Sequence, residues 1–375
     1  MSGNTIEDVT IVGGGGAGLI TALTLQERVP SLDIDVLERE PSAYTTLCAE
    51  GISDKTLDLF TAFDAEPYCA EAFEGARWWF PGPVEVLVNE PCYTIERSSW
   101  FPAMAETFED RGGTYETDRK VRPEDVDELR RDTDLLVGAD GPGSNVREAL
   151  GGTGITRLGV QVRLQADWDG DRLEFFTHED FSPEYAWVFP KDDILNVGIL
   201  GEEDGKDFDR IDRFRDWLGL DGKIRKREAY PIGFDASFLA KGNTALIGDA
   251  AGLTNPLTKG GLAAIIHSAR LLADAVEEAD EASSKGPTAA ERYANSVRNH
   301  PISHPSFEEG LEIMLDWDNE DFERLARFAP ETVEAGGGQI KEKLLLALGM
   351  GTNPTLIPEI WTLYRAMALS KEYSW

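Results

Sequence analysis

Three glycines, Gly13, Gly15 and Gly18, stand in the spacing G-x-G-x-x-G directly after the apolar residues Val9, Ile11 and Val12. Glycines so spaced permit a tight turn, let backbone approach a pyrophosphate, and let a helix pack closely on a strand. Glu38, twenty residues beyond Gly18, stands where a carboxylate would bind a ribose hydroxyl. The chemistry implied is dinucleotide binding, and this turn alone does not choose between NAD and FAD. Two further turns join glycine to an acid: Gly138-Ala139-Asp140-Gly141 and Gly248-Asp249, the latter followed by Lys259-Gly260-Gly261. Asp140 reads either as a ligand or as ordinary turn chemistry. Asp249 is suited to accept hydrogen bonds from ribityl or ribose hydroxyls, and Lys259 is either a cation beside them or a solvated loop lysine. Cys48 lies in the loop Tyr44 to Ile52, as a thiol within reach of a cofactor ring or as a small buried residue.

These residues need elements to hold them. Periodicity predicts a buried strand through Val12, a helix over Leu19 to Val29 and a second strand over Ile34 to Leu37, one βαβ unit. A buried strand from Leu135 runs into the Asp140 turn and a helix that Ser144 can cap. Another, from Ala245, runs into Gly248-Asp249 ahead of a long helix over Leu262 to Glu278, whose positive end points back at whatever lies above Gly261. Arg77 to Val88 reads as a hairpin turned by Pro81-Gly82-Pro83. Tyr93 to Arg97 follows as a strand, then a helix from about Ser99 to Arg111. Val160, Val162 and Leu164 alternate with Gln161, Arg163 and Gln165, a half-buried strand. With Leu173 to Thr177, Tyr185 to Phe189 and Leu195 to Leu200 it forms an antiparallel sheet covering the reactive end of the cofactor. Tyr185, Trp187 and Phe189 alternate, so all three face one side of that sheet.

The expected fold is α/β. A Rossmann-like cofactor domain comprises 1–70, 93–155 and 240–280, an inserted antiparallel sheet domain 71–92 and 156–239, and a C-terminal helical region 289–375. Glu278 to Thr288 reads as a linker. The tail helices are expected at Ala289 to Arg298, Phe307 to Leu315, Asp321 to Phe328, Ile340 to Leu348 and Pro358 to Leu369. Their apolar faces suit packing on the body first, and a lipid-tail tunnel or a membrane second. His300 and His304 are four apart, but Pro301 and Pro305 break any helix between them, so no metal is expected.

The 375 residues carry Lys+Arg 36 against Asp+Glu 69, a net charge of -33. Such a chain repels nucleic acid. The excess is spread along the sequence and 41% of residues are hydrophobic, which argues for a folded protein with the surface of one from a high-salt cytoplasm. Three unpaired-looking cysteines fit a reducing, cytoplasmic location. No signal peptide or membrane span is visible, and peripheral contact with the inner face of a cell membrane stays open.

Taken together, Gly13-x-Gly15-x-x-Gly18, Asp140-Gly141 with Ser144 and Arg147, and Gly248-Asp249 resemble the FAD-binding fold of the para-hydroxybenzoate hydroxylase type. Within it, Tyr185-x-Trp187-x-Phe189-Pro190 with Gly198, and the loop Cys48-Ala49-Glu50-Gly51, are similar to signatures of the geranylgeranyl reductases, including archaeal digeranylgeranylglycerophospholipid reductases. In that family's pattern a glycine stands where this chain has Leu200, and another where it has Ala49. The resemblance implies FAD held by Gly13, Gly15, Ala17, Gly18, Glu38, Arg39, Cys48, Ala49, Arg97, Asp140, Asp249, Lys259, Gly260, Gly261 and Leu262. It implies saturation of carbon-carbon double bonds in an isoprenoid lipid or prenyl diphosphate, with NAD(P)H or ferredoxin as electron donor. Cys48 is then a proton donor or ring contact, and Tyr185, Trp187 and Phe189 the wall above the flavin. A monooxygenase or halogenase of the same fold is the alternative. No lysine occurs between Lys55 and Lys120, where the halogenases keep an essential one. A flavin-loaded binding protein without turnover is the third reading.

Overall fold

The computed structural model describes residues 6–43, 48–82, 84–182, 184–281, 286–326, 331–334, 357–370 and 373. The predicted strand, helix, strand opening is present as Asp8–Val12, Gly16–Arg28 and Asp33–Leu37. Its sheet has six strands, in the order Ala240–Lys241, Thr244–Leu246, Leu135–Gly138, Asp8–Val12, Asp33–Leu37, Thr114–Glu116. All neighbours are parallel except the first pair. Parallel strands need both faces covered. Accordingly Ile11, Leu136, Val137 and Ala245 are fully buried, and the helices Gly16–Arg28, Leu262–Glu281 and Arg97–Asp110 pack together over the sheet.

The larger sheet has eight strands: Lys223–Phe234, Ile155–Gln165, Ile194–Leu200, Ala186–Lys191, Leu173–Phe176, Ala76–Phe80, Val84–Asn89 and Thr332–Glu334. It contains the hairpin and the antiparallel strands read from the sequence. Two parallel pairings were not expected: Leu173–Phe176 with Ala76–Phe80, and Thr332–Glu334 with Val84–Asn89. The region beyond 289 is therefore not wholly helical. A small third sheet, Gly51–Ser53, Cys92–Ile95 and Cys69–Phe73, packs against the strand Ala186–Lys191 of the eight-stranded sheet.

Several boundaries differ from the sequence reading for local reasons. The helix expected from about Ser99 starts at Arg97, because the Glu96 carboxylate accepts from the Ser98 N–H and caps it. The long helix continues through Glu281 rather than ending at Glu278. The next one begins at Ala289 under a capping box of Thr288 and Glu291. The tail forms Ser306–Asp316, Asn319–Ala326 and Ile357–Leu369; the helix expected over 340–348 lies outside the described residues. Phe307, Met314, Trp317, Phe322, Ile360 and Leu363 pack with Leu257 into one cluster, so the tail supports the turn that precedes Gly260. Among the described residues, no helix is long and apolar enough to cross a membrane, and no group of side chains could hold a metal.

The rings of His267 and His300 meet at 5.1 Å between centroids, tilted by 41°, with Tyr373 against both. Burial pushes His267 down to about 4 from its ordinary 6.5, helped by His300 and Arg270. Between those two values the unfolded chain binds a proton that the folded chain refuses, so stability rises with pH across this window. Urea unfolding from pH 4 to 6.5 should show that rise in the wild type, and His267→Phe should lessen it, with the part due to His300 and His304 remaining; equal slopes would contradict the assignment.

Candidate functional site

The turn after the first strand divides the work of its glycines. At Gly13 φ is 103°, a conformation that favours glycine, and a Cβ there would meet the Ala139 carbonyl at 2.5 Å. A Cβ on Gly18 would sit 1.9 Å from the Gly13 carbonyl oxygen, so the helix is pressed against the strand end. Gly15 has nothing within 4 Å of its Cβ position. It is the N-cap of Gly16–Arg28, and the first N–H groups of that helix lack intrahelical partners. Glu38 is buried and accepts from the N–H groups of Gly14 (2.7 Å) and Glu40 (2.9 Å). The ribose-binding acid expected from the sequence thus also braces the turn.

The two other acidic turns lie beside this one at the carboxyl ends of neighbouring parallel strands. Asp140 accepts from Ser144 Oγ (2.5 Å) and from the N–H groups of Asn145 (2.7 Å) and Val146 (3.2 Å). Burial raises its pKa, and those bonds oppose the rise. Asp249 accepts from Thr254 Oγ1 (2.9 Å) and the Gly233 N–H (3.3 Å), and burial raises its pKa also. Arg147 joins the two turns, donating to the carbonyl of Ala250 at 2.9 Å and to that of Pro142. Turn chemistry and a cavity-lining position are therefore both true of Asp140.

All three turns open on one cavity of about 330 Å³, within the range of small-molecule sites. Every residue expected from the resemblance to hold FAD or to wall the flavin lines it except Gly18, which lies under the turn. Arg97 is buried, faces the Phe101 ring at 4.6 Å, and its side chain makes no hydrogen bond or ion pair among the described residues. A buried guanidinium left without a protein partner is suited to an anion. Lys259 is not the solvated loop lysine that the sequence allowed. It is buried, ion-paired with Glu184, and burial lowers its pKa while Glu184 opposes that.

Opposite the turns lies one face of the eight-stranded sheet. Cross-strand pairing sets Phe175, Trp187, Gly198, Gln161 and Glu228 in a single row over five strands. Leu200, Gly159 and Tyr230 form the adjacent row beside Tyr185. The Trp187 indole lies over Gly198, where a Cβ would come within 2.1 Å of it. Phe175 packs edge-on against Tyr185 at 5.6 Å and Phe189 at 5.2 Å. The face is thus aromatic at one side and polar at the other. Sequence reading missed Phe175, Gln161, Glu228 and Tyr230. The alternation around Gln161 marked a polar face correctly, but alternation does not report that the face is covered, and Gln161 is only 4% exposed.

Cys48 is half-buried at the polar side, its Sγ accepting from the Glu50 N–H at 3.2 Å. The carbonyls of Cys48 and Ala49 are held by Gln161 Nε2 (3.2 Å) and Asn196 Nδ2 (3.1 Å). Glu50 has φ 67° and its buried carboxylate meets Lys191 (2.7 Å) and Arg163 (3.1 Å). Burial pushes the other thiols up, Cys69 to about 11 and Cys92 to about 12.

No protein-family model matches the chain. Among curated proteins it is 27% identical over 311 residues to the digeranylgeranylglycerophospholipid reductase of Methanosarcina acetivorans, covering 73% of this chain and 76% of the relative. Most of the chain is thus similar to proteins named digeranylgeranylglycerophospholipid reductase. The chloroplastic geranylgeranyl diphosphate reductase of Oryza sativa subsp. japonica is 32% identical over 157 residues, covering 39% of this chain and 34% of that one. A geranylgeranyl bacteriochlorophyll reductase-like protein of Thermoplasma acidophilum superposes with TM-score 0.80 at 20% identity, covering 95% and 99% of the two chains. A flavin-dependent halogenase shares the fold at TM-score 0.63 and 18% identity, over 83% of this chain and 64% of that one.

Because the Arg97 guanidinium makes no hydrogen bond or ion pair among the described residues and has only the Phe101 ring against it, Arg97→Met should weaken binding of a dinucleotide such as FAD by tenfold or more, the roughly 1.5–3 kcal/mol of hydrogen bonds to a charged group. The stability of the protein free of dinucleotide should fall only by the loss of that cation–π contact, roughly 0.5–2 kcal/mol. Titration calorimetry giving wild-type affinity would contradict an anion-binding role.

Proposed function

We propose that the chain is an FAD-dependent reductase that saturates carbon-carbon double bonds of geranylgeranyl chains in membrane-lipid synthesis. The observation that carries this reading is a cavity with a glycine-turn cradle on one side and the Phe175, Tyr185, Trp187 and Phe189 face on the other. The relatives that cover most of the chain are reductases named for such lipids.

The residues fit the cofactor. Gly15 to Ala17 and Arg97 would take the pyrophosphate, Glu38 the adenosine ribose, and Asp249 with the Gly260 and Gly261 backbone the flavin end. When bound and reduced, the flavin supplies hydride. The chain's own side chains do the rest. An isoprenoid alkene has no polar handle, so the aromatic face binds it by burial, at roughly 0.8 kcal/mol per CH₂. The same face excludes water and holds the chain flat, which turns collision into alignment. Tyr185 cannot swing freely, since its hydroxyl donates to the Thr258 carbonyl at 2.8 Å. Burial keeps it protonated well beyond the usual range. The Cys48 thiol, held at the polar side of the face, is the group assigned to present a proton to the second alkene carbon. NAD(P)H or ferredoxin would supply the electrons, and the apolar tail would allow peripheral contact with a membrane.

Anaerobic protein loaded with FAD, reduced by dithionite and mixed with geranylgeranyl phospholipid or diphosphate should yield products that gain two hydrogens per double bond by mass spectrometry. Oxidation of the flavin only with oxygen, and hydroxylation of an aromatic compound, would favour the monooxygenase reading instead. Cys48→Ser should keep FAD yet slow reduction by roughly 100-fold or more, the scale of a general acid; unchanged turnover would remove the thiol from the mechanism.

A further inference from the structure

One buried ion pair borders the cavity. Lys259 and Glu184 have side chains 6% and 2% exposed. The ammonium contacts the Glu184 carboxylate and the Pro256 carbonyl, and lies 5.1 Å from the centre of the Phe234 ring. Lys259 has φ 57°, and its N–H donates to the Asn255 carbonyl at 2.9 Å. Asn255 Oδ1 accepts from the N–H groups of Leu257 (2.9 Å) and Thr258 (3.3 Å), so the turn is rigidly built. It is fastened to the aromatic strand twice, through Glu184 and through the Tyr185 hydroxyl on Thr258. Lys259 lines the cavity together with Asp249, Gly260 and Gly261. Arg157 is the other charge acting on it.

A cation buried against a carboxylate is close to neutral as seen from outside the pair. We propose that Glu184 is a positioning residue that cancels the charge of Lys259 and thereby sets the reduction potential of the flavin in this cavity. The inference rests on the flavin reading above. A flavin gains electron density on reduction, so an unbalanced cation in the low-dielectric cavity favours the reduced form and an unbalanced carboxylate opposes it. With the pair intact, the potential is left to the positive helix end at Leu262. Removing either member therefore shifts the potential, and the two removals shift it in opposite directions. A pair that served packing alone has no such sign.

The test is the midpoint potential of FAD-loaded wild type, Glu184→Gln, Lys259→Met and the double variant, measured by dye-coupled reductive titration. Glu184→Gln should raise the potential and Lys259→Met lower it. Each should change the reduction equilibrium tenfold or more, about 30 mV for a two-electron couple, and the double variant should return towards wild type. Each single change strands a buried charge. Where Glu184→Gln does not fold, Glu184→Asp loosens the pair and should raise the potential by less. Unchanged potentials in both singles, or shifts of the same sign, overturn the proposal. If the potentials move as stated but no isoprenoid is reduced, the reductase reading falls and the tuning role stands. If the wild type binds no flavin, both fall.

Discussion

The site depends on one close approach, that of the first helix to the end of the first strand. Gly18 meets the Gly13 carbonyl at a distance that no side chain tolerates, so the helix starts directly above the strand. Its free N–H groups then point into the cavity instead of being spent on the loop. Glu38 and Tyr115 hold the outside of the same turn through Gly14, whose N–H donates to the carboxylate and whose carbonyl accepts from the phenol at 2.8 Å. Asp140 and Asp249 follow on strands hydrogen-bonded in sequence to this one, which aligns three turns at the carboxyl ends of a parallel sheet, where ligands of such sheets bind.

A second constraint shapes the opposite wall. Trp187 can lie across the sheet only because its cross-strand neighbour is Gly198. The glycine of the aromatic signature therefore makes room for an indole rather than bending the strand. On the other side of Gly198 the row turns polar with Gln161 and Glu228, and the charged groups there neutralise one another. Glu228 is paired with Arg163 at 3.1 Å and Lys226 at 2.7 Å, and Glu50 with Lys191 and Arg163. Little net charge is left facing the cavity from these groups, even though the whole chain carries -33. The acidity of the protein belongs to its surface.

Much of this was legible in the sequence because each cofactor turn is local. A glycine turn, its strand and its helix are consecutive in the chain, so spacing and periodicity report them directly. The aromatic alternation of Tyr185, Trp187 and Phe189 was legible for the same reason. What escaped was set by pairing between distant segments. The parallel pairing of Leu173–Phe176 with Ala76–Phe80 brings Trp78 against Phe175 at 4.9 Å, and nothing local announces it. Glu184 is a buried partner for Lys259 only because the strand and the turn, seventy-five positions apart, meet in space. Gln161 looked solvent-facing because a covered polar face and an exposed one share the same alternation.

In the proposed function, cofactor and isoprenoid share this cavity, with the hydrocarbon laid along the aromatic face. A crystal structure of the protein with FAD and a saturated twenty-carbon isoprenoid tests it most directly. The pyrophosphate is expected at Gly15 to Ala17 beside Arg97, and the hydrocarbon in contact with Phe175, Tyr185, Trp187 and Phe189. Hydrocarbon density elsewhere, or a pyrophosphate away from Gly15, would contradict it.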